Sequence, residues 1–86
     1  MRQYEYDYGK LRGRIREILG TEREFARLIG RTATHISLIL NGEKQFTQSD
    51  ILKAVTVLDI DPRDIGVYFF TLRVHKSETM VLRGGT

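Results

Sequence analysis

The sequence predicts an all-α fold, a compact bundle of five short helices followed by a C-terminal tail with a strand or hairpin pattern. Three observations lead there. Five segments repeat apolar residues at helical spacing, most of them behind a residue suited to cap a helix. Two of these segments, between Thr21 and Lys44, are joined by a tight turn. The chain has no cysteine, so its 86 residues rely on apolar packing, without disulfides or a zinc ribbon, and 41% hydrophobic content is enough for one small helical domain.

Residues 1–6 form a polar, aromatic arm. They either touch a nucleic acid through Arg2 or fray, with Tyr4 or Tyr6 packed on the first helix. Asp7 is placed to cap that helix, Tyr8–Leu19, whose inward face is Leu11, Ile15, Ile18 and Leu19. Gly9 and Gly13 weaken it by roughly 1 kcal/mol each relative to alanine, which tertiary packing must offset. Lys10, Arg12, Arg14 and Arg16 cover the remaining surface. Two readings stay open for them, a solvated face or an arginine, such as Arg14, that reaches a phosphate backbone.

Thr21 and Glu24 have the spacing of a capping box for the second helix, whose apolar face is Phe25, Ala26, Leu28 and Ile29. Gly30 ends it, where positive φ is needed, and small Ala26 lets the next helix cross closely. Thr32 caps the third helix, Thr32–Leu40, with Ile36, Ile39 and Leu40 inward and Asn41-Gly42 closing it. Thr47, with Asp50 three residues on, caps the fourth, which carries Ile51, Leu52, Ala54, Val55 and Leu58. Asp61-Pro62 starts the fifth, Pro62–Phe69. Tyr68, Phe69 and Phe70 stand in a row and cannot all face one core. In the tail, Leu72 and Val74, then Met80 and Leu82, alternate with polar residues, so a strand or a hairpin around Lys76–Glu78 and an irregular extension are both open.

Thr21 to Lys44 has the layout of a DNA-binding helix-turn-helix. Phe25-Ala26, Gly30, Ile36, Ile39 and Asn41-Gly42, followed by Phe46-Thr47, Ile51 and Ala54, resemble the Cro/repressor type of helix-turn-helix. This is the lambda-repressor-like family of phage and bacterial regulators, and the resemblance covers about residues 8–70. It implies a DNA-binding domain over 1–70 and a tail, 71–86, that is a candidate dimerisation strand. By position it implies that Ala33, Thr34, Ser37 and Leu38 read bases and that Thr32 contacts phosphate. Arg31 and Lys44 lie in the flanking loops, where cations meet the backbone, and His35 sits at the outer edge of the third helix beside them. Relatives dimerise near the fifth helix, which puts Val67, Tyr68 and Phe70 at a two-fold interface.

Two departures weaken direct readout. The third helix offers none of the Gln or Asn that bind adenine bidentately, only Ala, Thr, Ser and Leu, which suit thymine methyls or promiscuous hydroxyl bonds. Glu22 places a carboxylate where a phosphate would come, although it also suits the dipole of the second helix. Leu38 is either a buried contact made on binding or core on a rotated helix.

Net charge is +3: +2 over residues 1–20, +1 over 21–44, −2 over 45–70 and +2 over 71–86. That suits one face turned to phosphate and another turned away. His35 and His75 are forty residues apart with no cysteine near, so no metal or other cofactor is expected, and without a cysteine, a histidine pair or a glycine-rich phosphate loop no enzyme is expected. No apolar run approaches a membrane span of about 20 residues, and residues 1–10 lack a secretion signal's apolar stretch, so a cytoplasmic protein is expected.

The expected function is a sequence-specific transcriptional regulator that binds double-stranded DNA as a homodimer on a near-palindromic operator, half-sites about 34–36 Å apart, occluding a promoter, without a small-molecule ligand. The alternative is a modulator on the same scaffold that binds a repressor or antitoxin protein. The absent Gln and Asn, Glu22 and the small net charge favour the alternative.

Overall fold

The computed structural model describes residues 5–73. Arg2 and the tail pattern of Val74, Met80 and Leu82 lie outside them. The order is β1 (Glu5–Tyr6), α1 (Gly9–Ile18), α2 (Glu22–Ile29), α3 (Ala33–Leu40), α4 (Gln48–Val57), a 3-10 turn (Pro62–Asp64) running into α5 (Ile65–Phe69), and β2 (Leu72–Arg73). The five-helix, all-α expectation holds.

The helix starts follow the capping chemistry with two corrections. Thr21, Thr32 and Thr47 each accept the N–H three residues on, from Glu24, His35 and Asp50, and Asp61 accepts from Arg63. At α1, however, the cap residue is Tyr8, without a side-chain cap bond, while Asp7 Oδ1 accepts the Gly9 N–H at 2.8 Å. The box at Thr21 is only half formed, because the Glu24 carboxylate turns to Arg27. Gly30 (φ 78°) and Gly42 (φ 88°) have the left-handed backbone their positions after α2 and α3 require.

All five helices contribute to one core, with Leu11, Ile15, Phe25, Ile29, Ile36, Ile39, Leu58 and Phe69 essentially inaccessible. Tyr8 is buried there too, although the spacing gave it no inward role. Three residues expected inward are not. Ile18, Leu28 and Leu52 are exposed, because each sits one 100° step from a neighbour that takes the inward position: Leu19, Ile29 and Ile51. Of the three consecutive aromatics, Phe69 is buried, Tyr68 half-buried and Phe70 exposed.

The arm and the start of the tail meet. β1 and β2 pair antiparallel, Glu5 opposite Arg73 and Tyr6 opposite Leu72. Edge-on ring contacts then run from Phe70 to Tyr6 (5.7 Å), from Tyr8 to Phe46 (5.6 Å) and from Phe46 to Phe69 (5.5 Å), with Tyr6 and Tyr8 tilted at 6.1 Å. Such pairs add roughly 0.5–1.5 kcal/mol each beyond area burial, so the chain of rings fastens both ends of the described chain onto α3's exit loop and α5. Burial, with Tyr6 nearby, pushes the Tyr8 phenol pKa up.

Candidate functional site

The residues implied in base reading lie together on α3. Ala33, Thr34 and Ser37 are exposed, and Leu38 is half-buried, in neither of its two expected extremes. This outward surface contains no charge and no side-chain amide. Thr32 holds α3's cap, its Oγ1 accepting from the His35 N–H at 3.0 Å. His35 is half-buried, and its Nε2 is shielded without a hydrogen-bond partner among the described residues.

Most cations around this surface have intramolecular partners. Arg12 donates to Glu22 at 3.3 Å and to Asn41 Oδ1 at 3.1 Å, tying α1 to both helices of the pair. Arg27 pairs with Glu24 one turn away on α2. Arg14 donates to the carbonyls of Leu58 (2.9 Å) and Asp59 (3.1 Å), satisfying the C-terminal end of α4.

Arg31 is held most firmly. Its guanidinium meets the Asp50 carboxylate in a two-pronged contact, Nε to Oδ1 at 2.8 Å and NH2 to Oδ2 at 3.2 Å. Asp50 is 1% exposed and also accepts the Thr47 N–H at 3.1 Å, while Thr47 Oγ1 accepts the Asp50 N–H, a complete capping box. Burial pushes the Asp50 carboxyl pKa up, but the hydrogen bonds from Arg31 and Thr47 and the Arg31 charge outweigh it, and the net direction is down. The ionised carboxylate therefore links the turn between α2 and α3 to the start of α4. Sequence reasoning found the cap at Asp50 and missed this partner, since no local spacing relates Asp50 to Arg31.

Among the described residues, Arg16, Arg23 and Lys44 are the cations in and beside the motif without an ion-pair partner. Of the residues expected at a two-fold interface, Val67 and Phe70 are on the surface and Tyr68 packs against the core. No group of three His, Asp or Glu residues among the described residues could hold a metal ion, and no helix there is long and apolar enough to cross a membrane.

The model of a family described as "Protein of unknown function (DUF739)" matches residues 4–72. The chain belongs to the DUF739 family. Among solved structures, this DUF739 protein is similar to the modulator of repression (MOR) of the temperate bacteriophage TP901-1 from Lactococcus lactis, determined in solution. The two are 44% identical over 83% of this chain and 96% of that one, with a TM-score of 0.69. No curated protein matches. The DUF739 match spans β1 to Leu72 of β2, and so includes the helix pair, the Arg31–Asp50 link and the ring contacts.

Proposed function

We propose that this protein is a phage-type modulator of repression that acts by binding a repressor protein through the outward face of α2 and α3. The observation that carries the reading is the chemistry of the α3 part of that face. α3 presents Ala33, Thr34 and Ser37 with no charged or amide group, while Arg12, Arg27 and Arg31 beside it are held by Glu22, Glu24 and Asp50. The most discriminating base contacts are bidentate pairs, for which α3 has no side chain, and holding DNA needs cations for phosphates. Small neutral side chains on a helix instead allow another protein's backbone to approach closely, and covering them leaves no charge desolvated. The similar phage protein is named for modulating repression, which agrees with this reading.

Two observations favour the other reading, a Cro-like dimer on DNA. Arg23 and Lys44 carry unpaired charge beside α3, and Val67 and Phe70 offer exposed apolar surface for a two-fold contact. Selection from a random duplex library, with the winner bound at 50 and 200 mM salt, separates the two. The modulator gives no enriched motif and weak, sequence-blind binding. A two-fold symmetric motif with affinity falling steeply with salt defeats it, because six to ten phosphate contacts lose about 10³–10⁵ in affinity over that range.

A further inference from the structure

The arginines around the helix pair stand where a duplex-binding pair would use them, yet each is met by an acid. Arg12 is at one end, donating to Glu22, the first residue of α2, and to Asn41, the cap of α3. Arg31 is at the other end, in the turn between the helices, held by Asp50. Arg27 lies along α2, held by Glu24. Arg23 and Lys44 have no ion-pair partner among the described residues. Even these follow Glu22 and Glu43 directly in the chain, and Glu24 follows Arg23.

The fold accounts for Asp50 but not for Glu22 and Glu24. Asp50 is buried and completes the capping box of α4. Glu22 and Glu24 have side chains 35% and 38% exposed, and ion pairs that open to solvent contribute little to stability. Thr21 Oγ1 already accepts the Glu24 N–H, and the Glu24 carboxylate leaves the cap for Arg27. The dipole of α2 favours an acid in its first turn, but α1 and α3 form without one. The effect of the two carboxylates is therefore directed outward. The start of a helix is where a phosphate would be welcomed. Two negative charges there repel it and neutralise the guanidinium groups that would hold it, and like charge set against a wrong partner gives specificity.

We propose that Glu22 and Glu24 exclude nucleic acid from the face of α2 and α3, by holding Arg12 and Arg27 and by repelling phosphate at the start of α2. This goes beyond the repressor reading, since it names the residues that keep a duplex off the face and holds for any protein the face takes.

The test measures binding of a short random-sequence DNA duplex to the full chain at 50 and 200 mM salt. Three proteins are compared: the native chain, Glu22→Gln/Glu24→Gln, and a control, Asp59→Asn/Asp64→Asn, with the same gain of two charge units. Asparagine tolerates the left-handed backbone of Asp59 (φ 51°), and Asp64 makes no side-chain cap bond, so the control keeps the fold. The expected result is that Glu22→Gln/Glu24→Gln binds the duplex more tightly than either other protein at 50 mM. It then loses about tenfold more affinity than the native chain on going to 200 mM, the loss that two added phosphate contacts give. The control keeps the native salt dependence. Glu24→Gln alone, which frees only Arg27, gives about half of the added slope and serves if the double variant is unstable in urea. No gain in the glutamine variants overturns the proposal. So does an equal gain in the control, which would assign the effect to net charge. Failure to bind a repressor would defeat the proposed function and leave these duplex results unchanged.

Discussion

Two helix starts in this chain are written alike and built differently. Thr21-x-x-Glu24 opens α2 and Thr47-x-x-Asp50 opens α4, and in both the threonine hydroxyl accepts the N–H three residues on. At α4 the carboxylate returns to its cap, is buried and receives Arg31 from the turn between α2 and α3. At α2 the longer glutamate swings to Arg27 on its own helix and the box stays open. The same local pattern gives a tertiary lock in one place and a surface pair in the other. What differs is a partner supplied from elsewhere in the chain, and at α4 that partner is a cation the sequence pattern assigned to a phosphate.

Substitutions sharpen the contrast. The largest effect is expected at Asp50. Asp50→Ala removes the cap and the Arg31 link together and destabilises by about 2–3 kcal/mol, the scale of a lost hydrogen bond to a charged group, as read by urea unfolding. Thr47→Ala, which leaves the ion pair, costs about 1 kcal/mol. Acid separates the two starts as well. Since the folded-state Asp50 pKa lies below its unfolded value, its contribution is complete above the ordinary carboxylate value of about 3.9 and is lost as pH falls below it. Unfolding midpoints taken from pH 6 to pH 2.5 should fall steeply in the native protein and more gently in Asp50→Asn. The smallest effect belongs to Glu24→Gln. The Glu24 pKa is also lowered, by its hydrogen bond to Arg27, but the pair faces solvent, and the unfolding midpoint should not move measurably. If Glu24→Gln proved as damaging as Asp50→Ala, the contrast between a lock and a surface pair would collapse.

Much of this fold was legible in the sequence because its signals are local. Thr21, Thr32, Thr47 and Asp61 start helices where capping chemistry puts them, and Gly30 and Gly42 adopt the backbone their places require. What escaped is what spacing cannot encode. β1 and β2 are two residues each, too short for an alternating pattern, and pair from opposite ends of the described chain. Leu52 fits an apolar stripe on paper, yet Ile51 beside it takes the core position. The same limit applies to the site. The makeup of α3's outward face was readable, including its lack of Gln and Asn. That Arg12, Arg14 and Arg31 are bound to Glu22, to carbonyls at the end of α4 and to Asp50 depends on contacts across the bundle.

The most direct test of the proposed modulator function is a calorimetric titration of this protein into a repressor encoded in the same genome, beside the same titration with Ser37→Arg. Ser37 is exposed, so the variant keeps the fold and places a bulky cation in the middle of the neutral face. The expected result is a saturable complex with the unmodified protein, weakened at least tenfold by Ser37→Arg. A complex indifferent to Ser37→Arg, or no complex at all, would contradict the assignment of the α2 and α3 face to a repressor.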